Sequence, residues 1–389
     1  MKIIAFNSGS SSLKFGLYQV SYKRTENMFT GEIKSIGQDK SEFELRDSLG
    51  NTLLSEAVII ADQNEAIIRV EQLFTDGSLP MPDAIGHRIV HGGPRLRQHI
   101  LIDDVVVQQL EAATAFAPLH APSSLAVLRF AQEYFPGLPQ AACFDTTFHK
   151  EMPDVARILP IAKELQLDGV QRYGFHGLSC ESILQQLGKN IPERLIIAHL
   201  GNGASVTAVK AGKSIDTSMG LSPAGGLMMG TRSGDLDPGV LLYLMQQRKF
   251  DAETLQTMLN RQSGLLGISG ISSDMRVLHE SATTDKNASL AIQMFCYSVR
   301  KEIASMISVL EGIDMLVFTG GIGENDVRVR AKICNGLSWI GVNLDNALNQ
   351  SALHSINQRN GSCAINVLPS QEDRQVARHT WDLCSHNKS

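Results

Sequence analysis

Short apolar runs that end in small polar turns recur along the chain. Lys2-Ile3-Ile4-Ala5-Phe6 reads as a buried strand running into Asn7-Ser8-Gly9-Ser10-Ser11-Ser12. Leu13, Phe15 and Leu17 then alternate with Lys14, Gly16 and Tyr18, the period-two pattern of a second strand. The device returns half a chain later. Ile196-Ile197-Ala198 leads into His199-Leu200-Gly201-Asn202-Gly203-Ala204-Ser205, and Val206 and Ala208 alternate after it. This repetition predicts an internal duplication. Further strands are expected within 20–60, at 84–90, at 141–144 and at 315–318. Helices are expected from Asp62 to Phe74, after Pro122, from near Ser179, over 289–311 with Gly312 closing it, and from Gln371 to Cys384.

A chain of 389 residues is too long for one ordinary core and fits two α/β domains. Their expected bounds are 1–149 plus about 373–389, and 150–372. Asp and Glu (40) outnumber Lys and Arg (35), which argues against a general nucleic-acid binder. The apolar runs are too short to span a membrane, and the N-terminal run breaks at Asn7, so neither a span nor a signal peptide is expected. Six cysteines without a CxxC pair read as reduced thiols of a cytoplasmic protein.

Candidate chemistry gathers where strands end. The turn after Asn7 exposes amides and hydroxyls to an anion, with Lys14 as a point charge, although an ordinary polar hairpin fits the same residues. Arg88 sits in an apolar strand and needs an anionic partner. His87 and His91 lie four apart in an extended stretch, which argues against zinc. Asp145 follows the strand 141–144, a position that suits a catalytic carboxylate and equally a helix N-cap. His176 stands between Phe175 and Gly177, in a setting that structural histidines also occupy. Arg232 lies in the long Gly- and Met-rich segment 219–238. Thr319-Gly320-Gly321-Ile322-Gly323-Glu324-Asn325 reads as a strand, a glycine turn and a helix able to face phosphates. Amides and cations around phosphates, with a carboxylate to organise magnesium, describe a nucleotide-dependent phosphotransferase.

Seven motifs in order carry a resemblance to the acetate and propionate kinases of the actin, sugar kinase and Hsp70 ATPase superfamily. They are Asn7–Lys14, Gly86–Gly93, Phe144–Thr146, Tyr173–Gly177, His199–Gly203, Met229–Asp235 and Gly320–Asn325. The resemblance implies duplicated actin-like (ribonuclease H-like) domains facing a central cleft, and a homodimer. It also implies reversible phosphoryl transfer between ATP and acetate. Carried over by position, Asn7 and Glu372 would hold Mg2+, with Mn2+ as a substitute, and Lys14 would lie near the nucleotide phosphates. Arg88, Asp145, His176 and Arg232 would be catalytic. His199, Leu200, Gly201, Asn202 and Gly203 would cradle ATP or ADP, together with Gly321, Ile322, Gly323, Glu324 and Asn325. Asp274, Met275 and Arg276 would meet the adenosine half. Arg88, Val90, Leu119, Phe175 and Pro223 would form the acyl site, where valine at 90 leans towards acetate. The family describes the Asp145 position as an acid/base. Acetate is already ionised at neutral pH, so an electrostatic or magnesium-organising role makes better chemical sense.

The sequence departs from the family pattern at Leu178, Cys180, Ala121, Gly225 and Gln371. Two alternatives accompany the acetate kinase expectation. One is a kinase for propionate or another short acid; the other is a non-catalytic ATP-binding switch.

Overall fold

A computed structural model describes residues 1–9, 11–118, 120–351, 354–359 and 361–386. The chain divides into two compact units. The first comprises Met1–Thr147, Gly177–Ser182 and Gln371–Ser389, and the second comprises Phe148–His176 and Ile183–Ser370.

The first unit is built on strands β1 (Lys2–Ser8), β2 (Ser12–Val20), β3 (Thr25–Lys34), β4 (Ser41–Asp47), β5 (Thr52–Val58), β6 (Ala84–Ile89), β7 (Ile100–Leu101) and β8 (Gln140–Phe144). They form one sheet in the order β5-β4-β3-β2-β1-β6-β8-β7. β1 pairs antiparallel with β2, and β1, β6 and β8 run parallel. One face buries Phe6, Leu13, Phe15 and Leu17 against the helices Gln63–Thr75 and Ala121–Tyr134. The other face buries Ile3, Ala5 and Cys143 against Val376 and Ala377 of the C-terminal helix, Glu372–His386. That helix crosses β6 at Gly86, where a Cβ would lie 2.4 Å from Thr380 Oγ1 and 2.6 Å from Val376 Cγ1. Only glycine permits this approach, which brings the start of the helix beside Arg88.

The second unit repeats the frame. Its strands are β9 (Arg194–Leu200), β10 (Ala204–Lys210), β11 (Lys213–Thr217), β12 (Met315–Thr319) and β13 (Ala364–Val367), in the order β11-β10-β9-β12-β13. β9 pairs antiparallel with β10, and β9, β12 and β13 run parallel. This is the order of β3-β2-β1-β6-β8 again, and Ile3-Ile4-Ala5 and Ile196-Ile197-Ala198 lie on corresponding strands. The duplicated actin-like α/β architecture therefore shows in strand order. The helix Lys286–Leu310 buries Ile292, Phe295, Val299 and Ile303 along one stripe. Its left-handed terminal residue is Glu311, at φ 58°, and not Gly312 as its sequence suggests. Gly312 follows at φ 138° and donates its N–H to the Ile307 carbonyl. Among the described residues, no helix is long and apolar enough to cross a membrane, and the six buried cysteines form no disulfide.

Candidate active site

In the first unit, β1, β6 and β8 deliver Asn7, Arg88 and Asp145 to the same edge of the sheet, and the C-terminal helix adds Glu372 and Asp373. Arg88 Nε donates to Asp145 Oδ1 at 3.1 Å, and Nη2 donates to Oδ2 at 2.7 Å. Its Nη1 donates to Asn7 Oδ1 at 2.9 Å and lies 3.3 Å from Glu372 Oε2. Asn7 Nδ2 donates to Asp373 Oδ1 at 3.2 Å. Asp145 therefore meets Arg88 in a two-pronged ion pair, not as the cap of a helix. Lys14 faces Asn7 across the ladder and pairs with Glu32 at 3.3 Å.

Three carboxylates surround one guanidinium here. Burial pushes Asp373 up to about 6, with Glu372 adding to the push and the Asn7 hydrogen bond opposing it. Burial raises Asp145 too, against the pull of Arg88. For Arg88, burial opposes the charge, but Asp145 and Glu372 outweigh it and hold the guanidinium protonated. A buried, oxygen-rich set with surplus negative charge fits a hard divalent cation such as Mg2+. Asp373, the neighbour of Glu372 in the first turn of the tail helix, is not among the residues that the family resemblance supplies.

The second unit supplies imidazoles, glycine-lined backbone and the guanidinium of Arg232. His176 has φ 57°, a left-handed conformation that costs a non-glycine residue on the order of 1–3 kcal/mol and marks functional sites. Its Nδ1 lies 2.9 Å from Ser205 Oγ, and its ring stacks on His199 at 4.1 Å. A Cβ on Gly203 would lie 3.3 Å from His176 Nε2 and 3.5 Å from Arg232 Nη1. Gly203 thus lets His176 and Arg232 converge on the turn after β9. Arg232 Nη1 donates to the Pro223 carbonyl at 3.1 Å, and Gly230 N–H donates to the Asn202 carbonyl at 3.0 Å. The segment between β11 and the helix Pro238–Gln247 is thereby tied to the glycine turn.

β12 passes straight into the helix Gly320–Asn325, with Gly320 at φ 77° making the corner in place of the expected separate turn. Gly201 and Gly321 come together: a Cβ on Gly201 would lie 3.9 Å from the Gly321 nitrogen, and Gly321 opens onto space. Leu200 and Gly323 are buried beneath them, and Ile322 is half-buried. Glu324 and Asn325 are engaged with the backbone. Glu324 Oε1 accepts the N–H groups of Gly320 and Ser370, both at 2.9 Å, and Asn325 Nδ2 donates to the Gly321 carbonyl. Arg330, absent from the sequence-derived set, is buried and donates to the Gly323 and Glu324 carbonyls at 2.9 and 2.8 Å. Its place on an ordinary amphipathic helix gave no signal of this. Asp274 caps the helix Met275–Ser281 and pairs with exposed Arg276 at 2.6 Å, while Met275 is buried.

Of the acyl-site set, Val90 is half-buried just past β6, Phe175 is buried and Pro223 is half-buried. Leu119 lies outside the described residues. His87 and His91 are engaged elsewhere: His87 Nε2 meets Gln140 Oε1 at 2.8 Å, and His91 Nδ1 accepts the Gly93 N–H at 2.8 Å.

Comparison with known proteins identifies the family. The acetokinase family model matches residues 2–378. The chain is 39% identical to an acetate kinase of Campylobacter lari, covering 98% of this chain and 99% of the relative. It is 40% identical to one of Rhodopseudomonas palustris, covering 98% of each. Among solved structures, a propionate kinase from Francisella tularensis superposes with a TM-score of 0.91 at 36% identity, over 98% of this chain and 99% of the other. Porphyromonas gingivalis acetate kinase gives 0.86 at 32% identity, with the same coverage. The chain belongs to the acetokinase family.

Proposed function

We propose that this protein is an acetate kinase, transferring the γ-phosphoryl group of ATP reversibly to acetate to give acetyl phosphate and ADP. Family membership supports this reading, and the observation that carries it is the pair of charge-handling clusters at equivalent strand ends. In the first unit, Arg88 would hold the acetate carboxylate, and Asn7 and Glu372 would hold Mg2+, with Asp373 and Asp145 adding negative charge around it. The ion, when bound, offsets charge on the phosphate oxygens. Asp145 keeps Arg88 oriented and charged; no proton has to leave acetate at neutral pH. In the second unit, Arg232 and His176 would contact the transferring phosphoryl group. His199–Gly203 and Gly321–Asn325 would cradle the nucleotide, with Asp274–Arg276 near its adenosine half. Positive charge and fixed donors on the phosphoryl oxygens provide most of the catalysis in such a reaction.

A propionate kinase is the second reading, favoured by the 0.91 TM-score to the Francisella enzyme. One methylene in the acyl pocket is worth about 1–3 kcal/mol, so both acids are expected to react. A homodimer is also proposed. Leu242, Tyr243 and Met245 of the helix Pro238–Gln247 are exposed, and none of its residues is buried. A cytoplasmic location accords with six cysteines outside any disulfide.

Hydroxamate trapping of acyl phosphate tests the reading, with Mg-ATP and acetate, propionate or butyrate, and Asp145→Ala as the blank. Product with acetate above propionate is expected. A reversed order makes the protein a propionate kinase, and no product with any acid turns the reading towards a nucleotide-binding switch.

A further inference from the structure

Behind the carboxylate cluster of the first unit lies a second group of titratable side chains. Glu181 comes from the helix Gly177–Leu187, His379 from the C-terminal helix, and His99 from the segment leading into β7. His379 Nε2 lies 2.6 Å from Glu181 Oε2, and His99 Nε2 lies 3.6 Å from Glu181 Oε1. The two imidazoles lie against each other with centroids 3.9 Å apart, tilted by 39°. Their ligand atoms lie within 4.8 Å of one another, which suits a transition metal by distance alone.

The hydrogen bonding points elsewhere. The Phe144 N–H donates to His99 Nδ1 at 3.1 Å. A histidine that binds a metal through Nε2 carries its proton on Nδ1 and donates it outward. Here Nδ1 already faces a donor, so the proton of the neutral ring belongs on Nε2, directed at Glu181. Burial pushes Glu181 up, but hydrogen bonds from His379 and His99 outweigh it and bring its carboxyl down to about 2. Glu181 thus lies between the two imidazoles, in hydrogen-bond contact with His379 Nε2, which also lies 3.1 Å from Gln375 Nε2, and at a longer 3.6 Å from His99 Nε2.

The group joins three segments that carry the proposed chemistry. His99 holds the backbone of Phe144, one residue before Asp145. The Gly177 N–H, at the start of the Glu181 helix, donates to the Asp145 carbonyl at 2.8 Å. His379 lies seven residues beyond Glu372, two turns along the same face of one helix. We propose that His99, Glu181 and His379 form an imidazole–carboxylate–imidazole brace that positions Asp145 and the Glu372–Asp373 turn. They are positioning residues for the phosphoryl transfer proposed above, on which this inference rests.

Glu181→Gln keeps the shape and removes the charge, and His379→Gln takes its place if that variant does not fold. Ile183→Val, a buried truncation on the same helix, controls for stability. Glu181→Gln is expected to lower kcat about tenfold while the KM for ATP moves less than about twofold, because misplacement of groups acts on the chemical step. Ile183→Val is expected to lower Tm and leave kcat unchanged. Hydrogen exchange, read without turnover, is expected to quicken at 144–146 and 371–375 in Glu181→Gln and stay constant at 12–20. Wild-type kcat and exchange in Glu181→Gln overturn the brace. A rise in wild-type Tm with Zn2+ that Glu181→Gln abolishes also overturns it, in favour of a metal site. Absence of acyl phosphate from the wild-type protein defeats the kinase reading instead, and the exchange experiment then decides the brace alone.

Discussion

The two units share a strand order but differ in what their strand ends carry. At the ends of β1, β6 and β8 stand an amide, a guanidinium and the Asp145 carboxylate, and the C-terminal helix adds two more carboxylates beside them. At the ends of β9 and β12 stand glycines, stacked imidazoles and backbone amides. The sheet determines where groups emerge, and the residues at its edge determine which ligand they suit. Buried charges on the first edge suit a small carboxylate and a hard cation. Imidazoles, bare backbone and the Arg232 guanidinium on the second suit a polyphosphate, which needs both close approach and positive charge.

The largest expected effect tests the cations. Arg88→Ala and Arg232→Ala should each reduce turnover by on the order of a thousandfold in the hydroxamate assay. They should differ in stability. Arg88→Ala leaves three carboxylates without their cation and should cost about 3–5 kcal/mol in denaturant unfolding. Arg232→Ala should cost much less, since Arg232 holds a backbone carbonyl. Equal destabilisation would erase the contrast between the units.

Acid should act on the first unit through His87. Burial pushes this imidazole down to about 4, against the Gln140 hydrogen bond. Protonation is disfavoured in the folded state, so this contribution is complete above pH 6.5 and is lost as pH falls towards 4. The loss is on the order of 3 kcal/mol. Asp145 and Asp373, raised by burial, take up protons over the same range and act in the opposite direction, so the effect is read by comparison: between pH 7 and pH 4.5 the unfolding free energy of wild type should fall relative to that of His87→Gln.

A smaller effect sharpens the account of the second unit. Gly203→Ala places a methyl group against His176 and Arg232 and should lower kcat about tenfold with little change in Tm. Unchanged kcat would mean that these groups do not need their present spacing. The smallest effect is expected at Arg276, which is exposed and pairs with its own helix cap, Asp274. Arg276→Ala should raise the KM for ATP by about two- to fivefold and leave Tm unchanged.

Much of this frame was legible in the chain itself. Buried strands betray themselves by period-two alternation, and the paired Ile-Ile-Ala runs announced the duplication. Arg88 and Asp145 were visible because a charge at the end of an apolar strand needs a reason. Asp373 was hidden beside Glu372, because a helix start tolerates acidic residues without any site. Glu181, His99 and His379 come together from segments as much as 280 residues apart, and no local pattern reports that. Arg330 reads as a surface cation until its helix is packed, when it turns inward onto two carbonyls. The helix end at Glu311 shows the same limit: Gly312 is the better left-handed residue by type, yet the left-handed turn falls one residue earlier.

The division of labour between the units is tested most directly by the ATP affinity of Arg88→Ala, measured by equilibrium titration without acetate. For ATP titrated without Mg2+, so that Asn7 and Glu372 beside Arg88 take no part, the account predicts affinity within about twofold of wild type, alongside the lost turnover, because the groups proposed to cradle the nucleotide itself lie in the second unit. ATP affinity lost together with turnover would contradict it and make Arg88 part of the nucleotide site.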